Sequence, residues 1–179
     1  FTAGFLPVFL NGFPLSIILA GILSIGALSP LIWYSLSDYM KGRIFTFLDP
    51  NSDPLGAGWN IAQSKTAIGS GGMFGKGYLN GTQSQLDFLP ESHSDFIFSV
   101  IAEEFGLFGI SLLFLVYAVI IYRVFKISFN ANTQFSRVCS ASLGFIFIIY
   151  LAINVCMVSG IFPVVGVPLP LISQGGTSI

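Results

Sequence analysis

Residues 105–122 read FGLFGISLLFLVYAVIIY, a continuous apolar stretch without a single charged side chain. A helix rises 1.5 Å per residue, so this stretch is long enough to cross most of a hydrocarbon layer about 30 Å thick. On either side of it, residues 1–37 and 138–179 also contain no charged residue, and only 8% of the whole chain is charged. Soluble domains carry roughly 25%. The sequence therefore predicts an all-α polytopic membrane protein.

Two other classes of protein fit the composition poorly. The formal net charge is −1, whereas a nucleic-acid-binding protein needs a basic surface to contact phosphates, so we expect no nucleic acid partner. The chain has one histidine and two cysteines, Cys139 and Cys156, which lie too far apart on one apolar helix to pair or to bind zinc together. We therefore predict no zinc site and assign no residue as a metal ligand.

Charge and turn residues divide the chain into a single membrane domain with polar connections. The expected segments are 1–10 for the end of one membrane helix, 14–37 for a second, 38–94 for a long polar loop, 95–122 for a third, 123–137 for a short loop, 138–162 for a fourth, and 163–179 for a bent segment that leads into a last helix. Within the long loop we predict an amphipathic helix over 59–68. Ser94 or Asp95 is the expected N-cap of the third membrane helix.

Basic residues predict the orientation of the helices. Arg123, Lys126 and Arg137 lie in the short loop, which contains no acidic residue, so the positive-inside rule assigns that loop to the cytoplasm. The helix before it then starts on the outer side, and the 38–94 loop is predicted to lie there.

A glycine cluster in the long loop has two open interpretations. The stretch GSGGMFGKG at 69–77 matches neither a P-loop nor a dinucleotide-binding fingerprint. It is either a turn-rich structural loop, which we favour, or a set of backbone N–H groups that meet a phosphate or a sugar.

Acidic residues near the start of the third helix are the clearest candidates for chemistry. Asp95 lies at the outer mouth of that helix, where an ionisable group is a functional hypothesis and burial would favour a general base. Simple helix capping is the alternative. Glu103 and Glu104 point about 100° apart on a helix, so both cannot face one cavity, and at least one is expected to pair with another group or to extend its carboxylate to the membrane surface. His93 is more easily explained as a hydrogen-bonding residue at the rim than as a base.

Several motifs resemble one family. They are GSGGMFGKG at 69–77, GTQSQ at 81–85, FLPESHSDFIF at 88–98, EEFG at 103–106, GIFPVVGVPLPLISQGG at 160–176 and LDPNSDPLGAG at 48–58. Together they resemble the RodA branch of the SEDS family over essentially the whole chain. Two positions depart from the family pattern: Ser94 replaces the usual threonine, and Gln174 replaces an aromatic residue.

The resemblance implies a fold and an activity. The fold is a ten-helix membrane protein with a large extracellular loop, of which this chain, apolar at both ends, would be a fragment, the C-terminal half. The activity is that of a peptidoglycan glycosyltransferase, which polymerises lipid II outside the bacterial cytoplasmic membrane during cell elongation and rod-shape maintenance. The expected partners are lipid II, a class B penicillin-binding protein that acts as transpeptidase, and other proteins of the elongation complex. The fragment alone is expected to be inactive.

The resemblance also assigns residues. The essential loop aspartate of the family matches Asp95, which would be the catalytic base. Residues expected to contact substrate are Lys65, Lys76, Glu91, His93 and Ser173. One of the lysines, or a divalent cation such as Mg²⁺, would offset charge on the departing pyrophosphate. Two further functions stay open. One is a lipid II flippase or transporter, because bent helices and intramembrane carboxylates also suit translocation. The other is a noncatalytic scaffold of the elongation machinery.

Overall fold

The computed structural model describes residues 15–48, 56–85 and 94–174, and every regular element in those ranges is an α-helix. The helices are α1 (Leu15–Ser35), α2 (Asp38–Leu48), α3 (Ala57–Ser70), α4 (Thr82–Gln85), α5 (Ile97–Phe129) and α6 (Gln134–Val158). The predicted all-α class is confirmed, and the helix predicted over 59–68 forms within α3. The predicted helix segments at 1–10 and at the end of the chain lie outside the described residues.

Helices α5 and α6 form an antiparallel hairpin, and both are long and apolar enough to cross a membrane. Large apolar side chains project away from the protein along both helices: Phe108 is 68% exposed and Leu143 is 61% exposed. A core helix of a soluble protein would bury such residues, whereas a lipid-facing helix exposes them to hydrocarbon. The chain is therefore a membrane protein, as its composition predicted.

The turn between these two helices is shorter than the polar loop predicted over 123–137. Helix α5 continues to Phe129 and α6 begins at Gln134, so four residues connect them. Arginine and lysine are good helix formers, and their long side chains extend toward water, so Arg123 and Lys126 do not end the helix. Thr133 caps α6 by accepting a hydrogen bond from the Ser136 amide at 3.2 Å. The side of the membrane assigned to this turn stays a prediction.

Helix α6 ends in a Schellman motif, after which the chain stays irregular through residue 174. Gly160 has a φ of +67°, its N–H donates to Met157 O at 3.0 Å, and the N–H of Ile161 donates to Cys156 O at 2.8 Å. Prolines at 163, 168 and 170 then prevent a new helix. We call residues 161–174 the bent segment. Polar side chains elsewhere hold it, since Arg43 donates to Val164 O at 2.7 Å and Tyr117 donates to Pro170 O at 2.6 Å.

Helix α5 is interrupted at Gly106, whose φ of 62° and ψ of −159° are not helical. A continuous helix would pair the amides of Leu107 and Phe108 with the carbonyls of Glu103 and Glu104. Here those amides donate instead to Gly72 O at 2.9 Å and Met73 O at 3.1 Å.

The carbonyls left by the interruption are satisfied by the same loop. Glu103 O accepts from the Lys76 amide and Glu104 O from the Gly77 amide, both at 3.0 Å. The glycine loop at 71–77 therefore exchanges four hydrogen bonds with the broken helix. Because the amides of residues 76 and 77 are occupied by protein carbonyls, the structural interpretation of the glycine cluster fits better than a phosphate cradle.

Only glycine permits this approach at three positions. A Cβ atom on Gly71 would lie 2.0 Å from Ala102 O, one on Gly75 would lie 2.0 Å from Glu104 O, and one on Gly106 would lie 2.4 Å from the Gly75 amide nitrogen. Gly75 and Gly106 also have positive φ values, which are unfavourable for other residues. The loop and the helix are thus in backbone-to-backbone contact.

We expect Gly75→Ala to lower the free energy of unfolding by at least about 2 kcal/mol, because it adds both backbone strain and a steric clash. Gly69→Ala is the matched control. It lies in α3 with nothing within 4 Å of the added methyl group, so it should be neutral or stabilise by up to about 1 kcal/mol. Apparent unfolding temperatures in detergent measure both effects. Equal temperatures for the two variants would contradict the close backbone contact between the glycine loop and α5.

Candidate functional site

Asp95 lies in a turn over 94–96 immediately before α5, at the junction between the polar region and the apolar hairpin. The helix starts at Ile97 with Phe96 in the N-cap position, so the predicted N-cap at Ser94 or Asp95 is wrong. The physical reason is packing: Phe96 is 2% exposed and belongs to an apolar cluster with Phe98, Met157 and Val158. This cluster fixes where the helix begins and leaves the half-buried Asp95 just outside it.

Two side chains hold the backbone around Asp95. The Ser173 hydroxyl, in the bent segment, donates to Ser94 O at 2.5 Å. The Asn154 side-chain amide, in α6, donates to Asp95 O at 2.9 Å and to Val167 O at 2.7 Å. Consecutive carbonyls on the two sides of the Asp95 Cα atom are thereby tied to the rest of the protein.

The bent segment also approaches the Asp95 carboxylate itself. Gly166 has a φ of +74°, and a Cβ atom built on it would lie 3.1 Å from Asp95 Oδ2. The missing side chain therefore leaves room for the carboxylate beside the backbone of Gly166. A carboxylate at a junction between three parts of the chain, with its backbone fixed, has the geometry expected of a positioned base.

Of the other predicted site residues, Ser173 has a hydrogen bond to the residue that precedes Asp95. Its hydroxyl oxygen accepts a hydrogen bond from the Leu169 amide at 2.7 Å and donates to Ser94 O. The hydroxyl thus closes a turn of the bent segment and joins it to the turn before α5. Its predicted contact with substrate stays a prediction.

Lys65 lies on α3 and reaches Gly160, the residue immediately before the bent segment. A Cβ atom on Gly160 would lie 2.2 Å from Lys65 Cε and 2.6 Å from Lys65 Nζ, so the ammonium group rests against a glycine backbone. The side chain is exposed, and no ion pair is found for it among the residues that the structure describes. Lys65 therefore presents a positive charge beside the segment that contacts Asp95.

Lys76 has a different environment, because its ammonium group forms an ion pair with Glu103 at 2.7 Å. The Glu103 side chain is fully buried and also accepts hydrogen bonds from Thr82 N at 2.9 Å, Thr82 Oγ1 at 3.0 Å and Gln83 N at 3.2 Å. The carboxylate thus lies at the start of α4 and cancels the charge of Lys76. This pairing confirms the expectation that one of the two adjacent glutamates pairs.

Two predicted site residues, Glu91 and His93, lie outside the described ranges. Within those ranges, no group of three or more histidine, cysteine, aspartate or glutamate residues lies close enough to hold a metal ion. The metal contribution considered for the pyrophosphate stays an expectation.

Sequence reasoning missed Asn154, the residue that joins α6 to Asp95. It is fully buried, and it is a polar amide within the apolar run that was expected to be a plain membrane helix. A polar side chain at such a position is costly unless it makes hydrogen bonds, which was an available signal for a role in the site. The partners of the amide, by contrast, depend on the path of the bent segment.

Comparison with known proteins gives a consistent family. A family model described as cell cycle protein, FtsW/RodA/SpoVE, matches residues 1–179. The chain is 51% identical over 178 residues to the peptidoglycan glycosyltransferase MrdB of Escherichia coli strain K12, a match that covers 99% of this chain and 48% of MrdB. It is 41% identical over 144 residues to the peptidoglycan glycosyltransferase RodA of Treponema pallidum strain Nichols, covering 80% of this chain and 33% of that protein.

A solved structure shares the fold. It matches with a TM-score of 0.77 and 30% sequence identity, covers 98% of this chain and 48% of the other, and is described as the structural coordination of polymerization and crosslinking by a peptidoglycan synthase complex. The chain spans about half the length of the curated relatives it matches. On the full-length family match and these identities, the chain belongs to the FtsW/RodA/SpoVE family, the SEDS proteins.

Proposed function

We propose that this chain carries the catalytic base of a peptidoglycan glycosyltransferase that polymerises lipid II into glycan strands during cell elongation. The observation that carries the proposal is the Asp95 carboxylate, fixed at the junction of α5, α6 and the bent segment. Relatives that match almost the whole chain are named as peptidoglycan glycosyltransferases, which supports the reaction class.

In the proposed step, Asp95 accepts the proton of the 4-hydroxyl group of the acceptor lipid II sugar. The hydroxyl oxygen forms a bond to the anomeric carbon of the growing chain, and the bond from that carbon to the lipid pyrophosphate breaks. The electron pair leaves with the pyrophosphate, and the configuration at the anomeric carbon inverts. Because pyrophosphate is already a good leaving group, one carboxylate acting on the acceptor side is sufficient.

A cation near the leaving group would stabilise the charge that develops on the pyrophosphate. Of the two lysines predicted for this role, Lys65 has the more suitable surroundings. Its ammonium group lies against Gly160, the residue immediately before the bent segment that contacts Asp95, whereas the charge of Lys76 is balanced by the buried Glu103. We therefore propose Lys65 as the basic residue that faces the pyrophosphate.

The cellular setting follows from the family and from the chemistry. We propose that the protein lies in the bacterial cytoplasmic membrane with Asp95 on the extracytoplasmic side, where lipid II is polymerised. A class B penicillin-binding protein is the proposed transpeptidase partner, together with other elongation proteins. The description of the similar solved structure, which couples polymerization to crosslinking in one complex, supports this partnership.

Replacing Asp95 tests the base directly in the full-length protein. Asp95→Asn keeps the size of the side chain and removes the proton acceptor, so polymerisation of lipid II should fall by about 100-fold or more. The matched control is Asp38→Asn, which changes a fully exposed carboxylate at the start of α2 and should leave the rate unchanged. Glycan length on gels measures activity, and unfolding temperature measures folding.

The same experiment separates the competing functions. Translocation of lipid II by a folded wild-type protein that forms no polymer would identify a flippase. Absence of both activities, with retained binding to the penicillin-binding protein, would identify a scaffold. Full polymerisation by Asp95→Asn would contradict the catalytic assignment.

The proposed role of Lys65 depends on its positive charge, so the test compares a variant without the charge with one that keeps it. Lys65→Met should lower the polymerisation rate about 10-fold or more, and Lys65→Arg, which restores the charge, should recover most of it. Both variants should fold normally because the side chain is exposed. Equal rates for the methionine and arginine variants would exclude an electrostatic role.

For Lys76, stability and activity have to be separated. Lys76→Met leaves the buried Glu103 carboxylate without its cation and should cost about 3–5 kcal/mol of stability. Adding Glu103→Gln removes the uncompensated charge, so the double variant should recover much of that loss. The polymerisation rate of the folded double variant then tests the predicted contact of Lys76 with substrate. A reduced rate is expected, and a wild-type rate would exclude the contact.

A further inference from the structure

We propose that Asn154 is a positioning residue for Asp95, holding the backbone that sets the direction of the catalytic carboxylate. The inference rests on the proposed glycosyl transfer for its effect on rate. Its structural part depends only on hydrogen bonds within this chain.

The geometry around Asp95 explains how a side chain that never touches the carboxylate can aim it. The peptide plane before the Asp95 Cα atom contains Ser94 O, and the plane after it contains Asp95 O. Ser173 holds the first carbonyl at 2.5 Å and Asn154 holds the second at 2.9 Å. With both planes fixed, the backbone dihedrals of residue 95 are fixed, and these set the direction of the Cα–Cβ bond from which the carboxylate extends.

Asn154 also controls what lies beside the carboxylate. Its second amide proton goes to Val167 O at 2.7 Å, one residue after Gly166. The same NH₂ group therefore joins Asp95 to the part of the bent segment whose glycine leaves room beside Asp95 Oδ2. One side chain sets both the carboxylate and one wall of its surroundings.

Burying the Asn154 amide costs free energy, so packing alone does not explain why an asparagine occupies this position. Asn154 is fully buried, and Asn154 Oδ1 has no hydrogen-bond partner among the described residues. An unpaired buried acceptor costs about 1–3 kcal/mol, which a leucine of similar size would avoid. Two donated bonds to carbonyls outside any helix offset that cost. In particular, Asp95 O does not join the helical ladder, because the Ser99 amide donates to Phe96 O.

The test compares Asn154→Leu with a matched buried control in the full-length protein. Leucine fills the space and removes both donated hydrogen bonds. Ser64→Ala is the control: Ser64 is also fully buried and loses a 2.7 Å hydrogen bond to Val158 O at the end of the same helix, but it has no bond to residue 94 or 95. Both variants lose buried hydrogen bonds of the same kind.

Two readouts are measured on each variant. Steady-state polymerisation should show kcat reduced about 10- to 100-fold in Asn154→Leu with KM within about twofold, and little change in Ser64→Ala. Hydrogen–deuterium exchange should become faster at amides 95–100 in Asn154→Leu alone. The exchange readout needs no substrate, so it tests the positioning separately from the reaction.

A milder variant keeps the proposal falsifiable if Asn154→Leu folds poorly. Ser173→Ala removes the hold on the neighbouring carbonyl, and it should also lower kcat. Because the two residues fix the two planes around one Cα atom, the effects of Asn154→Leu and Ser173→Ala should be less than additive in the double variant.

The outcomes are distinct. Unchanged exchange at 95–100, a kcat loss no larger than in Ser64→Ala, or additive effects in the double variant would each overturn the positioning role. Faster exchange at 95–100 in a protein whose wild type forms no glycan polymer would support the positioning and refute the proposed function instead.

Discussion

The backbone groups released where α5 breaks at Gly106 must find hydrogen-bond partners, and this constraint shapes the polar part of the molecule. An unpaired amide or carbonyl in an apolar environment costs several kcal/mol, so a membrane helix can break only where other protein covers the break. The glycine loop at 71–77 supplies two donors and two acceptors for that purpose. It is thereby locked against α5, and α3, which leads directly into the loop, is held with it.

The same constraint explains the surroundings of Asp95. The bent segment has irregular backbone after α6, and side chains from several elements satisfy its carbonyls: Arg43 from α2, Tyr117 from α5 and Asn154 from α6. Asn154, and Ser173 of the bent segment itself, also bind the turn that carries Asp95. The candidate base is therefore fixed by the same hydrogen bonds that allow the chain to bend.

Charge is distributed in a way that separates structural from chemical roles. The ion pair of Lys76 with Glu103 closes the glycine loop onto the start of α4, where backbone amides of Thr82 and Gln83 also face the carboxylate. That cluster is electrically balanced. Lys65, exposed and resting against Gly160, keeps its charge beside the bent segment.

The class of protein and the residue on which the proposed chemistry depends were both predictable from local stretches of sequence. Charge-free runs such as 105–122 are long and apolar enough to cross a membrane, which is a property of local sequence, and the motif around Asp95 is also local. The prediction that at least one of Glu103 and Glu104 pairs or extends to the membrane surface was also confirmed, because the angle between adjacent residues on a helix is a local property. Helix ends were less accurate, since the start of α5 depends on the packing of Phe96 against α6 and not on a capping side chain.

The contacts between distant segments depend on the fold and could not be predicted locally. The glycine loop could have presented its amides to a phosphate, and nothing local indicated that Glu103 and Glu104, in the next long helix, would provide carbonyls for the amides of residues 76 and 77 instead. Asn154 was visible as a polar residue in an apolar run, but its partners Asp95 and Val167 are brought to it by the fold. The physical reason is common to both cases: a hydrogen-bonding group has a fixed chemistry in sequence, whereas its partner is chosen by which backbone groups the fold leaves unsatisfied nearby.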